Sequence, residues 1–128
     1  MSSLRKILVL ALFSAMTSAA SFSVSAATFS HEEVKAALEN TISKVKESIS
    51  ALEQGAENEI LVNLVGSARQ MQKDIENNDL EVKRQHAGKR LKTAWSALRD
   101  GDRETASDSL KDALGRYEEM QKIYAASH

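Results

Sequence analysis

The chain has 128 residues, with 17 basic and 18 acidic side chains and a formal net charge of −1 at pH 7. It contains neither cysteine nor proline. Without cysteine, disulfides, thiolate metal sites and thioether-attached haem are excluded, and the slightly acidic balance argues against nucleic acid as a partner. The absence of proline fits an almost wholly helical chain.

The first 27 residues have the pattern of a secretory signal peptide. Arg5 and Lys6 precede the apolar run Ile7–Phe13, and small residues follow at positions 24–27. A basic start, a short apolar core and an Ala-x-Ala-like site predict export to the periplasm. The apolar run is shorter than the roughly 20 residues of a membrane span, so we expect no stable membrane anchor. Cleavage leaves residues 28–128 as the mature domain, in which 15 basic residues face 18 acidic ones, a net charge of about −3.

A repeat with an offset of 46 residues indicates a duplicated helical hairpin. The motif Ser-Ala-Leu-x-x-Gly occupies positions 50–55 and returns at 96–101. Apolar residues keep the same offset: Ile49 matches Trp95, Ile60 matches Ala106, Leu64 matches Leu110, and Met71 matches Tyr117. One hairpin cannot bury its apolar stripe alone. The repeat therefore predicts an all-α, antiparallel up-down-up-down four-helix bundle.

Two predicted helices form the first hairpin. Ser30 and Glu33 have the spacing of a capping box, and the apolar stripe that follows ends at Gly55. That stripe comprises Val34, Leu38, Ile42, Val45, Ile49 and Leu52. The second helix is predicted from about Glu57 to Glu76. Its predicted inward residues are Ile60, Leu61, Leu64, Ala68, Met71 and Ile75.

The second hairpin begins after a predicted turn at positions 77–79, where Asp79 is the expected cap. The third helix is predicted to end at Gly101, and Asp102 is the expected cap of the fourth. The third helix has Leu80, Ala87, Leu91, Ala94 and Leu98 inward. The fourth has Ala106, Leu110, Ala113, Tyr117, Met120 and Tyr124 inward, at the spacing of a bundle seam.

Three carboxylates and two histidines are the candidate metal ligands. Glu104, Asp108 and Asp112 recur every fourth residue, which places them along one face of the fourth helix. Hard divalent cations bind clustered oxygen atoms. His86 in the third helix, and His31 beside two glutamates, add nitrogen atoms of the kind that copper, nickel and zinc bind.

Each candidate ligand also has a structural explanation. Acidic residues near a helix start are stabilised by the helix dipole, and Asp112 can pair with Arg116 one turn on. His86 lies in a basic stripe whose like charge would repel a cation. The acidic face of the fourth helix could pair with that stripe across the two helices. The stripe comprises Lys83, Arg84, Lys89, Arg90 and Lys92.

The sequence contains no recognisable catalytic set. It has no Ser/His/Asp or Cys/His arrangement, no phosphate-binding glycine loop and no zinc-spaced pair of histidines. Met71 and Met120 are the only methionines of the mature domain, and no histidine falls on an apolar stripe, so we expect core packing and no haem. The sequence therefore predicts a protein that is not an enzyme and requires no cofactor.

The segment from Lys83 to Met120 carries a family resemblance. Its pattern is His86-Ala87-x-x-x-Leu91-x-x-Ala94-x-x-Ala97-Leu98-x-x-Gly101-Asp102-x-x-x-Ala106-x-x-x-Leu110-x-x-Ala113-Leu114. This pattern resembles the bacterial small metal-binding proteins, which are periplasmic four-helix bundles. The resemblance implies weak binding or handling of a divalent metal such as copper, nickel or zinc. The Ala-Leu-x-x-Gly-Asp-x-x-x-Ala part is also similar to tetratricopeptide helices and to the YfdX family of exported stress-linked proteins, which implies a protein partner.

Two functional hypotheses follow. A metal-handling bundle requires His31, His86 or the stripe of carboxylates to converge in space. A stress-related interaction module, or a homodimer, instead requires a contiguous apolar patch near Trp95 on a helix face. The two differ in which side chains the fold must bring together.

Overall fold

The computed structural model describes the backbone of residues 26–128 and the side chains from His31 onward. Over that part of the chain there are four α-helices and no strand: α1 (Ala26–Glu53), α2 (Asn58–Met71), α3 (Glu81–Arg99) and α4 (Arg103–Ser127). Two short 3₁₀ turns, Gln72–Asp74 and Asn78–Leu80, connect α2 to α3. The all-α, four-helix prediction is confirmed, whereas the up-down-up-down order of the helices stays a prediction. The signal peptide stays one too, because all but its last two residues lie outside the described part.

The four helices share one apolar core within the compact unit Glu32–His128. Every inward residue predicted for α3 and α4 is buried, and in α1 only Ile49 is less than fully buried. Within this unit α4 packs along α3, and α3 also packs against α2. No helix within residues 26–128 is both long enough and apolar enough to cross a membrane.

The two glycine turns, after α1 and after α3, have the same backbone geometry. Gly55 and Gly101 both adopt a φ of 81°, in the left-handed region where a residue without Cβ is favoured. In each turn the glycine amide and the following amide donate to carbonyls three and five residues earlier, which is the Schellman arrangement. The bonds are Gly55 to Leu52 at 3.1 Å, Ala56 to Ala51 at 3.0 Å, Gly101 to Leu98 at 3.2 Å and Asp102 to Ala97 at 2.8 Å. The sequence repeat is therefore a repeat of local structure.

The buried stripe of α2 differs from the prediction by one residue. Ile60 is 50% exposed and Leu64 and Met71 are partly exposed, so their prediction as inward residues was wrong. After the glycine turns, the buried residues of α4 match buried residues 45 positions earlier in the chain. The pairs are Leu61 with Ala106, Val65 with Leu110, Ala68 with Ala113 and Gln72 with Tyr117. The shift arises because Glu57, the residue before α2, comes two positions after Gly55, whereas Asp102 directly follows Gly101.

Three predicted helix ends are corrected. Ser30 lies inside α1, which already includes Ala26, so Ser30 is not a helix cap. The second helix ends at Met71 and not near Glu76, because the chain tightens into a 3₁₀ turn. At the next turn the cap is Asn77, whose Oδ1 accepts a hydrogen bond from the amide of Asp79 at 2.9 Å.

The predicted cap of the last helix is confirmed. Asp102 Oδ1 accepts a hydrogen bond from the Thr105 amide at 3.1 Å, and Asp102 Oδ2 accepts one from the Thr105 hydroxyl at 2.7 Å. These two bonds lower the pKa of the Asp102 carboxyl below its usual value. The start of α4 thus has a charged side-chain cap, whereas Glu57 before α2 makes no side-chain cap hydrogen bond.

Candidate binding groove

His86 lies in a cationic notch between α3 and α4. The notch has a volume of about 290 Å³ and is lined by His86, Lys89, Arg90, Thr93 and Arg116. It contains three basic side chains and no carboxylate. A divalent cation bound at His86 would therefore meet like charge, and no carboxylate of the lining could serve as a ligand.

Of the three carboxylates predicted to form a stripe on α4, one forms ion pairs and the other two do not. Asp112 Oδ2 lies 3.0 Å from the Nε atoms of both Arg90 and Arg116. Glu104 and Asp108 are exposed and make no ion pair with any residue of the described part. Pairing between α3 and α4, one of the explanations weighed for this stripe, thus applies to Asp112.

The predicted ligands do not assemble into a metal centre. Across residues 31–128, no group of three or more histidine, aspartate or glutamate side chains is arranged to hold a metal ion. His31 is partly buried near the start of the described side chains. At the other end of the chain, the His128 ring stacks on Tyr124 with 4.1 Å between ring centroids.

A basic groove lies between the end of α2 and the outer side of α3. Its volume is about 320 Å³. Arg69, Gln72 and Lys73 line one wall, and the α3 wall consists of Arg84, Gln85, Gly88, Lys89 and Lys92. Five of these eight side chains are basic and none is acidic. We refer to this set of residues as the basic groove.

Gln72 and Gly88 meet where the two walls of the basic groove join. A Cβ atom at Gly88 would lie 3.3 Å from Gln72 Oε1, so the glycine makes room for the glutamine side chain. Gln72 Oε1 also accepts a long hydrogen bond, 3.4 Å, from the Tyr117 hydroxyl of α4. Burial raises the pKa of Tyr117, which keeps its phenol protonated as the donor. The end of α2 is thus tied to both α3 and α4.

Two of the five basic side chains already have partners. Arg84 Nε donates to Glu81 Oε2 at 3.2 Å, and this guanidinium holds the pKa of the Glu81 carboxyl below its usual value. The guanidinium of Arg69 lies over the Trp95 ring. Lys73, Lys89 and Lys92 form no ion pair within the described part of the chain. Arg69 and these three lysines thus have no carboxylate partner in that part of the chain.

Trp95 lies beside the basic groove, between two arginines. The guanidinium carbons of Arg69 and Arg99 lie 4.9 Å and 4.7 Å from the indole centroid, within the range of a cation–π interaction. The contiguous apolar patch near Trp95 that the interaction hypothesis requires is not found among residues 31–128, because these two charged groups flank the half-buried ring. Among residues 31–128 the exposed large hydrophobic side chains are Ile60 and Val82. The surface around Trp95 is therefore cationic.

The sequence indicated only half of this site. The basic stripe of the third helix was visible at helical spacing, and three of its members line the basic groove. The contribution of Arg69 and Lys73 was missed, because it depends on where α2 ends and how it packs on α3. Comparison of the chain with protein-family models, curated proteins and solved structures finds no match, and the chemistry of the groove is inferred from its own side chains.

Proposed function

We propose that this chain is an exported, non-enzymatic interaction module of the periplasm that binds a partner protein through the face formed by α2 and α3. The observation that carries the proposal is the basic groove, which is lined by five basic side chains and no acidic one. Lys73, Lys89 and Lys92 in this groove form no ion pair with another described residue. Like charges gathered on one surface repel each other and lower folding stability. The apolar patch near Trp95 that the sequence-based hypothesis required is not found in the described residues, so the contact we propose is electrostatic and not apolar. A partner of opposite charge would relieve that repulsion and gain affinity from it.

The composition of the groove supports binding over catalysis. Its lining contains no histidine, carboxylate or hydroxyl group, which are the side chains that most often act as general base or nucleophile. Lysine and arginine side chains held on the outer faces of packed helices can instead attract and orient a ligand. This arrangement favours an interaction module.

Metal handling, which the resemblance to small metal-binding proteins implies, is the competing function. We do not adopt it, because the notch at His86 is cationic and Asp112 is already paired with Arg90 and Arg116. Calorimetric titration of the purified chain with copper, nickel and zinc tests the choice. Saturable binding that disappears when His31, His86 and His128 are replaced by alanine would favour metal handling over partner binding.

Site-specific photocrosslinking tests the proposed face directly. A benzophenone side chain placed at Lys92 lies in the basic groove, and the same group at the exposed Lys46 of α1 is the matched control. In periplasmic extracts and in living cells we expect a defined adduct from position 92 and none from position 46. Equal labelling from both positions, or none from either, would overturn the proposal.

A further inference from the structure

We infer that residues 32–53 of α1 form the movable element of the bundle, which separates from α2, α3 and α4 while those three helices stay folded. Two observations support this. One is a hydroxyl group of α1 that is buried without a hydrogen-bond partner. The other is that the polar contacts of this segment with described residues all stay within α1 or reach only the residue after it.

The buried hydroxyl belongs to Thr41. The whole side chain is buried, and its Oγ1 has no hydrogen-bond partner. A serine or threonine hydroxyl inside a helix can donate to the carbonyl oxygen four residues earlier. Ser48, which is buried in the same helix, does so to the Lys44 carbonyl at 2.8 Å. The Thr41 hydroxyl has instead exchanged its hydrogen bonds to water for none, which destabilises the closed bundle.

Separation of α1 from the core relieves this penalty, because water then reaches the Thr41 hydroxyl. The opened form therefore lies closer in free energy to the closed one than it would with an apolar side chain at this position. Val34, Thr41 and Ser48 follow each other at intervals of seven residues, so all three lie on one face of α1. Two polar residues thus interrupt the buried face by which α1 packs on the core.

The other three helices are linked by polar side chains that are buried or partly buried. At the start of α2, Asn58 Oδ1 accepts a hydrogen bond from Arg103 of α4 at 2.6 Å. Beyond the end of α2, Gln72 Oε1 accepts one from Tyr117 of α4 at 3.4 Å. Gln72 also packs against Gly88 of α3, where a Cβ atom would lie 3.3 Å from that oxygen. Both ends of α2 are therefore held to the remaining helices.

Residues 32–53 have no link of this kind. Lys44 pairs with Glu47 at 2.9 Å, and Gln54 donates to the Ser50 hydroxyl at 3.2 Å. Between this segment and the other described helices there is no side-chain hydrogen bond and no ion pair. Apolar packing is non-directional, whereas hydrogen bonds fix the geometry of the groups that they join. Separation of α1 therefore breaks apolar contacts only, and separation of α2 from α4 breaks hydrogen bonds as well.

Native-state hydrogen exchange, measured for single amides by NMR, tests the inference on the purified chain. We expect protection factors at Leu38 and Val45 of α1 to be at least about tenfold lower than at Leu91 of α3 and Leu110 of α4. Low concentrations of urea should accelerate exchange less in α1 than in α3 and α4, because partial opening exposes less surface than global unfolding. Equal protection in these three helices would show a single global opening and overturn the inference.

Thr41→Val tests the role of the hydroxyl, because it replaces that group with a methyl group of similar size. Thr93→Val in α3 is the matched control, since the exposed Thr93 hydroxyl donates to the Lys89 carbonyl at 3.0 Å. We expect Thr41→Val to slow exchange of the α1 amides at least about fivefold, and Thr93→Val to leave it within about twofold. Unchanged or faster exchange in Thr41→Val, or equal slowing by both substitutions, would overturn the inference. Crosslinking from position 92 probes another face, so the proposed function and the opening of α1 can fail separately.

Discussion

The two halves of the chain, α1 with α2 and α3 with α4, agree at their glycine turns and differ beyond them. Their glycine turns have the same φ and the same pair of Schellman hydrogen bonds. Beyond those turns, α2 has 14 residues and ends at Met71, whereas its counterpart α4 has 25 residues and continues to Ser127. The chain beyond Met71 forms a 3₁₀ turn, and two residues of that turn line the basic groove. The candidate site thus occurs where the two halves diverge.

One pair of matching residues shows how the two halves differ. Tyr117 is fully buried in the middle of α4, and the equivalent residue at the end of α2 is Gln72. The two side chains contact each other through the tyrosine hydroxyl. A large buried aromatic residue in one hairpin is therefore matched by a polar residue at the edge of the groove in the other. Residues that repeat between the two halves form the core, whereas a residue that differs between them, Gln72, lines the candidate site.

The one-residue shift after the first turn predicts that substitutions at positions 60 and 61 lower the free energy of unfolding by very different amounts, which is the largest effect expected here. Leu61→Ala removes a fully buried side chain and should lower the free energy of unfolding by about 2–5 kcal/mol. Ile60→Ala, its matched control, removes a side chain that is 50% exposed and should cost far less. Urea denaturation of both variants measures the difference. Equal losses, or a larger loss for Ile60→Ala, would restore the 46-residue register.

Arg103 joins the two hairpins at the turn end of the bundle. Its guanidinium donates to Asn58 Oδ1 at 2.6 Å and to the Ala56 carbonyl at 2.9 Å. Because hydrogen bonds to charged groups are the stronger ones, Arg103→Ala should lower the free energy of unfolding by about 1.5–3 kcal/mol. Arg90→Ala breaks an exposed ion pair and should cost less than about 1 kcal/mol. A smaller loss for Arg103→Ala than for Arg90→Ala in the same denaturation assay would contradict the bridging role.

The equivalence of the two turns predicts equal effects of two glycine substitutions. Gly55→Ala and Gly101→Ala each force a side chain into the left-handed region, at a cost of about 1–2 kcal/mol. No atom lies within 4 Å of a Cβ built at either position, so the cost is conformational in both turns. Gly115→Ala in α4 is the control, and it should raise stability by up to about 1 kcal/mol because alanine favours a helix interior. Clearly unequal melting temperatures for the two turn variants would show that the turns are not equivalent.

The two helix starts differ in capping, which predicts the smallest effect. Asp102→Ala removes the side-chain cap of α4 and should lower the melting temperature, whereas Glu57→Ala should leave it unchanged. The pKa of folded Asp102 lies below its usual value of 3.8, so its stabilisation is present above that pH and is lost as the pH falls through the folded pKa. The gap between Asp102→Ala and the original protein should therefore close in acid. A gap that persists unchanged at low pH would assign the effect to another cause.

The sequence was sufficient for the fold but ambiguous for α2. The stripes of α3 and α4 were predicted correctly, because one residue per turn was the obvious inward choice. In α2, apolar residues occur as neighbours, Ile60 with Leu61 and Leu64 with Val65, so that either register fits the hydrophobic pattern. The register is decided by the single extra residue before α2, and sequence periodicity does not report it.

The candidate site was less predictable than the fold for a different reason. The lysines of α3 could be grouped from their spacing, but the opposite wall requires α2 to end at Met71. Neither glycine nor proline marks that end in the sequence. The apolar face around Trp95 that the interaction hypothesis required does not form. Arg99 lies one turn after Trp95 in α3, but Arg69 reaches the ring from α2 only after folding. Local patterns do not reveal such contacts.

The extra residue after Gly55 has a consequence for the evolution of this chain. An insertion within a helix rotates everything beyond it by about 100° about the helix axis and moves the apolar stripe away from the core. An insertion after the glycine falls outside both flanking helices, so that the whole of α2 can shift by one position in the sequence and still bury the same face. The glycine turns are therefore the places where this chain can accept single-residue insertions and deletions without repacking its core.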